Sequence, residues 1–103
     1  MSTAIEGLTI TFPDGYDARR EYETPSRGYL SDIIVQLEDG RRYKLYFIDP
    51  TRLSQTLEDD ARTGREYYAE PNMVVLPEVT TDSVKKAVHG LWLDGYFQHL
   101  KPL

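Results

Sequence analysis

Residues 31–48, SDIIVQLEDGRRYKLYFI, constrain the fold of this chain more than any other segment, because they encode a β-hairpin. Aliphatic and aromatic residues alternate with polar ones on both sides of Asp39-Gly40. That alternation is typical of two half-buried strands, and Asp-Gly is a frequent turn sequence between such strands. We therefore predict two antiparallel strands that bury one face against the rest of the chain.

The register of this hairpin follows from which side chains must share a face. A two-residue loop would set Val35 opposite Lys44 and mix apolar with charged side chains. A three-residue loop over 38–40 sets Val35 opposite Tyr43 and gives Gly40 the left-handed conformation of a bulged turn. Because a slip of one residue turns every side chain over, we predict the three-residue loop. The expected core face is Ile33, Val35, Leu37, Tyr43, Leu45 and Phe47, and the expected opposite face is Asp32, Ile34, Gln36, Arg42, Lys44 and Tyr46.

Two helices are predicted from capping residues and apolar spacing. Asp49-Pro50 suits the N-cap and first position of a helix over about 50–63, and Gly64 suits its end. A run of capping candidates at 80–83 opens a second helix over about 81–94. The apolar stripe of the first helix consists of Leu53, Leu57 and Ala61.

Two further strands complete the expected sheet. Leu8–Phe12 alternates in the strand period, and Met73–Leu76 is a continuous apolar run typical of an interior strand. The polar segment 13–28, which contains two prolines and two glycines, is predicted to be a loop or an irregular strand pair, in which 19–22 could extend as a short strand. We therefore expect one α+β domain over 1–103. It has a small, mostly antiparallel sheet of about four strands and two helices packed mainly on one face.

Composition excludes several classes of function. The 103 residues contain no cysteine, which rules out disulfides, thiolate metal ligands and a cysteine nucleophile. A formal net charge of −5 argues against binding to nucleic acid, which requires cations to neutralise phosphates. No apolar run has the length of a membrane span or of a signal sequence. We expect a cytoplasmic protein that binds neither nucleic acid nor membrane.

The residues that commonly carry catalysis form no recognisable motif. His89 and His99 are ten residues apart, which matches no metal-binding helix pattern. No serine lies in a nucleophile-elbow sequence, and no glycine-rich phosphate loop precedes a helix. We therefore predict a protein that is not an enzyme and needs no cofactor or metal.

Tyrosine, with eight residues, is the one aromatic type present in excess, and tyrosine and arginine are enriched at recognition surfaces. Basic and aromatic residues fall on the outer face of the hairpin and after the first helix. An acidic cluster on that helix suits electrostatic docking of a basic partner. The predicted partner surface is Arg42, Lys44, Tyr46, Asp59, Asp60, Arg65 and Tyr67.

These features favour a small acidic protein-interaction module, such as an adaptor, a regulator or a neutralising partner, that binds another protein. One alternative is a small-ligand binder or weak hydrolase with its site under the 13–28 segment. Its carboxylates would be Asp14, Asp17, Glu21 and Glu23, with His99 or Tyr22 as proton donor. A second alternative is a domain that self-associates into a homodimer through an exposed sheet edge.

Overall fold

A computed structural model describes residues 2–103, so residue 1 of the predicted domain lies outside the described residues. These residues form five strands, three α-helices and a terminal 3₁₀ turn. The strands are β1 Ser2–Ile5, β2 Leu8–Thr11, β3 Tyr29–Gln36, β4 Arg42–Ile48 and β5 Met73–Val75. The helices are α1 Ala18–Arg27, α2 Pro50–Arg62 and α3 Thr81–Leu93, and the 3₁₀ turn is Tyr96–His99. The predicted α+β class is confirmed.

The five strands form one sheet in the order β1-β2-β3-β4-β5. The first four are antiparallel neighbours, and β5 pairs with β4 in parallel, so α2 is the crossover between β4 and β5. The hairpin has the predicted register, with Val35 opposite Tyr43. Gly40 closes the three-residue loop at φ 91°, and the Leu37 N–H donates to the Arg41 carbonyl across it. The register argument from shared faces is confirmed.

One face of the sheet carries the hydrophobic core. All six side chains predicted for the core face of the hairpin are buried. Val84 and Val88 of α3, together with Phe97 of the 3₁₀ turn, pack against them. Thr80 caps α3 by accepting from the Ser83 N–H, which fixes where that helix begins. This face is called the core face below, and the opposite one the outer face.

The helix α2 begins at Pro50 as predicted, with the Asp49 carboxylate accepting from the Arg52 N–H at 2.7 Å. It does not join the core cluster on the core face. Its Arg52 guanidinium instead lies 4.9 Å from the ring centroid of Tyr29. The Tyr29 ring stacks on that of Tyr46, which belongs to the outer face. The packing of helices mainly on one face thus describes α3, whereas α2 contacts the outer face.

The segment 13–28 is where the prediction of a loop or irregular strand pair is wrong. Residues 18–27 form the helix α1 instead, so the stretch 19–22 is helical and not a strand. Asp17 caps the helix by accepting from the Arg20 N–H, and Gly28, at φ 75°, ends it by donating to the Thr24 carbonyl. Pro25 lies inside the helix and, without an N–H, cannot donate to the Glu21 carbonyl.

None of the helices in residues 2–103 has the length and hydropathy needed to cross a lipid bilayer.

Candidate interaction surfaces

The basic residues predicted on the hairpin lie on the outer face of the sheet. Arg42 and Lys44 are both exposed there. The Lys44 ammonium is 3.0 Å from the carboxylate of Asp32, and more than half of each side chain is exposed. An ion pair this exposed is worth at most about 1 kcal/mol, but it neutralises the charge that Lys44 would offer a partner.

A β-bulge places Asp32 beside Lys44. Leu30 pairs with Phe47 and Ile33 pairs with Leu45. The two residues Ser31 and Asp32 therefore lie opposite a single residue of β4, Tyr46. Asp32 has φ 60°, a left-handed conformation that is uncommon for any residue other than glycine. Bulges and left-handed residues within strands re-aim side chains and are frequent next to functional sites.

Tyr46, the third predicted residue on the hairpin, is half-buried in an aromatic cluster. Its ring stacks on that of Tyr29 at 6.4 Å between centroids, and the Tyr68 hydroxyl donates to the Tyr46 hydroxyl at 2.9 Å. Burial, followed by the hydrogen bond from Tyr68, raises the pKa of the Tyr46 phenol well above its usual range. Tyr46 therefore holds the 68–72 segment onto the sheet and offers only part of its surface to a partner.

The other four predicted site residues lie in the last turns of α2 and in the segment that follows it. The Asp59 carboxylate is 3.5 Å from the Arg62 guanidinium. Asp60 is 4.0 Å from Arg65, whose guanidinium lies 4.9 Å from the ring centroid of Tyr67. Asp60, Arg65 and Tyr67 thus form one chain of contacts that extends the surface of α2 into the following segment.

The helix α2 is unusual in this fold because no side chain along Pro50–Arg62 is buried against the described part of the chain. Leu53 is half-buried, whereas Leu57 is 40% exposed and Ala61 is also exposed. Tyr67 follows at 63% exposed. The apolar stripe that the sequence predicts is present, but the domain covers only one edge of it.

Acidic residues border this uncovered stripe. Asp60 is three residues after Leu57, and Glu58 is three residues before Ala61, so both carboxylates neighbour the apolar pair on the helix surface. The segment 57–70 contains five carboxylates and two guanidiniums, a net charge of −3 out of −5 for the whole chain. Within residues 2–103, Glu58 has no ion-pair partner.

A cavity lies beneath the 13–28 segment, as the ligand-binding alternative requires. Its volume is about 720 Å³, and it opens on the outer face of the sheet. Of the four carboxylates suggested for it, only Asp14 lines it. The others cap α1 (Asp17), accept from Thr81 (Glu21) and bind Arg19 (Glu23). The suggested proton donors, Tyr22 and His99, are exposed and do not line it.

The side chains that sequence reasoning missed are those of α1 that face this cavity, namely Arg20, Thr24 and Arg27. Their i, i+4, i+7 spacing between the Asp17 cap and Gly28 was the available signal. Across residues 2–103, no three histidines or carboxylates are grouped closely enough to hold a metal ion.

No known family model, no curated protein and no solved structure matches this chain.

Proposed function

We propose that the protein is a non-enzymatic interaction module that binds a basic, amphipathic segment of another protein. The binding site is the α2 surface, which comprises Leu57, Glu58, Asp60, Ala61 and Tyr67. One observation carries the proposal: α2 has an apolar stripe, but the described part of the chain buries none of its side chains. A cytoplasmic location, without nucleic acid or membrane as partner, stays part of the proposal.

Helix energetics supports an external occupant for this stripe. A helix of 13 residues is marginal in water by itself, and most helices in proteins are stabilised by packing their apolar face. In α3, which has the same length, Val84 and Val88 provide that packing. In α2, by contrast, Leu57 stays 40% exposed. A partner that covers Leu57 and Ala61 would supply such packing.

Charge complementarity selects the chemistry of the partner. The carboxylates of Glu58 and Asp60 border the apolar pair, and the segment 57–70 carries a net charge of −3. A partner segment with lysines or arginines flanking its apolar residues would match this pattern and would be steered toward it. On the hairpin, by contrast, Lys44 is already paired with Asp32, and Arg42 forms no ion pair within residues 2–103.

Capture of partners from cells, with two matched variants, tests the proposal. Leu57→Asp places a charge on the apolar stripe, and Gln55→Asp places the same charge on the other side of the helix, where Gln55 is exposed. We expect a stoichiometric partner with the native chain and with Gln55→Asp, and a loss of about tenfold or more in affinity with Leu57→Asp. Both variants should remain folded, because neither side chain is fully buried, and thermal unfolding checks this.

The captured segment must also have the predicted chemistry. Made as a synthetic peptide, it should be basic, and its affinity should fall between low salt and about 0.5 M salt, at which charges are screened beyond a few ångströms. An acidic segment, or a segment bound equally by Leu57→Asp, would overturn the proposal. If light scattering shows a dimer that Leu57→Asp dissociates, the α2 surface binds a second copy of the chain. The self-association alternative then replaces the proposal of a different partner protein.

A further inference from the structure

The outer face of the sheet carries a groove that the proposed partner surface does not use. The 720 Å³ cavity under α1 adjoins a second of about 590 Å³. They share Ser31, Asp32, Lys44 and Leu103, so they form one continuous groove with the bulge at its centre. Either cavity has the volume of a small-molecule site.

One wall of the groove is the cationic face of α1. Arg20, Thr24 and Arg27 are spaced by four and three residues, which places them on one side of the helix, and all three line the first cavity. Arg20 donates to the Asp14 carbonyl at 3.5 Å, and within residues 2–103 it forms no ion pair. The Arg27 guanidinium is 3.8 Å from the nearest carboxylate, that of Glu23. Both guanidiniums therefore keep donors free for a ligand.

The floor of the groove combines polar groups with apolar side chains such as Ile34 and Leu103. Thr11 and Ser31 contribute hydroxyls, and the ion pair of Lys44 with Asp32 stands between the two cavities. In the second cavity Asn72 is held by its own hydrogen bond to the Lys44 carbonyl, and the paired hydroxyls of Tyr46 and Tyr68 lie nearby. The polar groups of this lining offer hydrogen bonds to the hydroxyls of a ligand.

We propose that the groove binds a small phosphomonoester of a hydroxylated molecule, such as a sugar phosphate. The two guanidiniums of α1 match the two charges of a phosphomonoester and offer the bidentate donors that phosphate oxygens accept. The hydroxylated remainder extends past the ion pair of Asp32 and Lys44 into the second cavity. Carboxylates on the lining, Asp14 and Asp32, accept hydrogen bonds from its hydroxyls.

Nuclear magnetic resonance titration with ribose 5-phosphate tests this site, with ribose as the neutral match. The phosphate ester should produce saturable shifts at the amides of Ser31, Asp32 and Lys44, and ribose should not. Arg27→Gln should weaken binding by about tenfold, as expected for loss of one charge-assisted contact of this type. Arg19→Gln is the matched control, since Arg19 is on the same helix, is highly exposed and does not line the groove.

Three results would overturn the inference. They are equal shifts from ribose, equal weakening by Arg19→Gln, and the absence of saturable shifts at millimolar ribose 5-phosphate. Arg20→Gln is a second test of the same site and should also weaken binding. If the spectrum of Arg20→Gln shows an unfolded protein, Lys44→Gln replaces it. Leu57→Asp should leave these titrations unchanged, so this test and the partner test fail independently.

Discussion

The hydroxyl of Tyr16 lies 2.8 Å from the hydroxyl of Thr81, a residue 65 positions later in the sequence. Thr81 in turn donates its only hydroxyl proton to the carboxylate of Glu21, also at 2.8 Å. Tyr16 must therefore be the donor to Thr81. This relay joins the segment before α1, α1 itself and the first turn of α3, and its middle member is buried. It is one reason why 13–28 is ordered structure rather than a loose loop.

Removing the donor of this relay should destabilise the fold modestly. In Tyr16→Phe the ring still stacks on Phe12, with 5.0 Å between centroids, but Thr81 loses one hydrogen bond. We expect the free energy of unfolding to fall by about 1 kcal/mol, measured in urea. Tyr22→Phe is the control, because the Tyr22 side chain is 85% exposed and should contribute nothing. Equal effects of the two substitutions would contradict a role for the relay.

Tyr43 shows the opposite case, a buried hydroxyl without a partner. Its side chain is 1% exposed, its ring packs on Phe97, and no described group accepts from or donates to its oxygen. An unpaired buried hydroxyl costs about 1–3 kcal/mol, so Tyr43→Phe should raise the free energy of unfolding by about 1 kcal/mol.

The matched control for Tyr43 lies on the same strand. Tyr46→Phe removes a hydroxyl that does have a partner, Tyr68, and should lower the free energy of unfolding by about 0.5–1 kcal/mol. The two substitutions are chemically identical, so opposite signs in the same urea experiment would isolate hydrogen bonding as the cause. A loss of stability in Tyr43→Phe would show that its hydroxyl is satisfied.

The hairpin and α2 could be predicted because their signals are local. The alternation around Asp39-Gly40 determines both faces and therefore the register, which places Val35 opposite Tyr43 as expected. Asp49 and Pro50 similarly determine where α2 begins. In each case residues within a few positions of one another contain the whole argument.

The helix α1 was missed because its apolar content is low and Pro25 lies inside it. Its stability comes from capping and from distant contacts such as that of Glu21 with Thr81, which local periodicity does not reveal. The same limit applies to the candidate sites. The groove needs α1 and β4 together, and the exposure of Leu57 depends on where the crossover helix packs. Sequence spacing specifies neither.

The turn of the hairpin contains a carboxylate whose titration should affect folding. The backbone N–H of Arg41, and then its guanidinium, hold the pKa of Asp39 below the ordinary value of 3.8. Folding therefore favours the charged form. Its contribution to stability is present above pH 3.8 and is lost as the pH falls through the lowered pKa.

A carboxyl-detected titration would check the Asp39 prediction directly. The pKa of Asp39 should lie below 3.8 in the native chain and should rise part of the way back in Arg41→Gln. The rise is partial because that variant keeps the backbone N–H, which is the larger cause. Arg42→Gln is the control, because Arg42 is the next residue and does not bind Asp39. A native pKa at or above 3.8 would refute the prediction.

Asp32 occupies a backbone conformation that glycine adopts without strain, and this makes it a test of whether the groove is functional. Its φ is 60°, and the ion pair that its side chain forms with Lys44 is largely exposed. Asp32→Gly should therefore leave the free energy of unfolding unchanged or raise it by up to about 1 kcal/mol. Ser31→Gly, at the neighbouring position without a positive φ, should lower it by about 0.5–1 kcal/mol.

Stability and binding should then separate at this residue. If Asp32 accepts from a ligand hydroxyl, Asp32→Gly should lower the affinity for ribose 5-phosphate by about three- to tenfold while the protein unfolds no more easily than the native chain. Strained residues that cost stability are retained where they position a functional side chain. A glycine variant that is less stable than the Ser31→Gly control would instead show that Asp32 holds the bulge itself, because the ion pair with Lys44 would then outweigh the backbone strain.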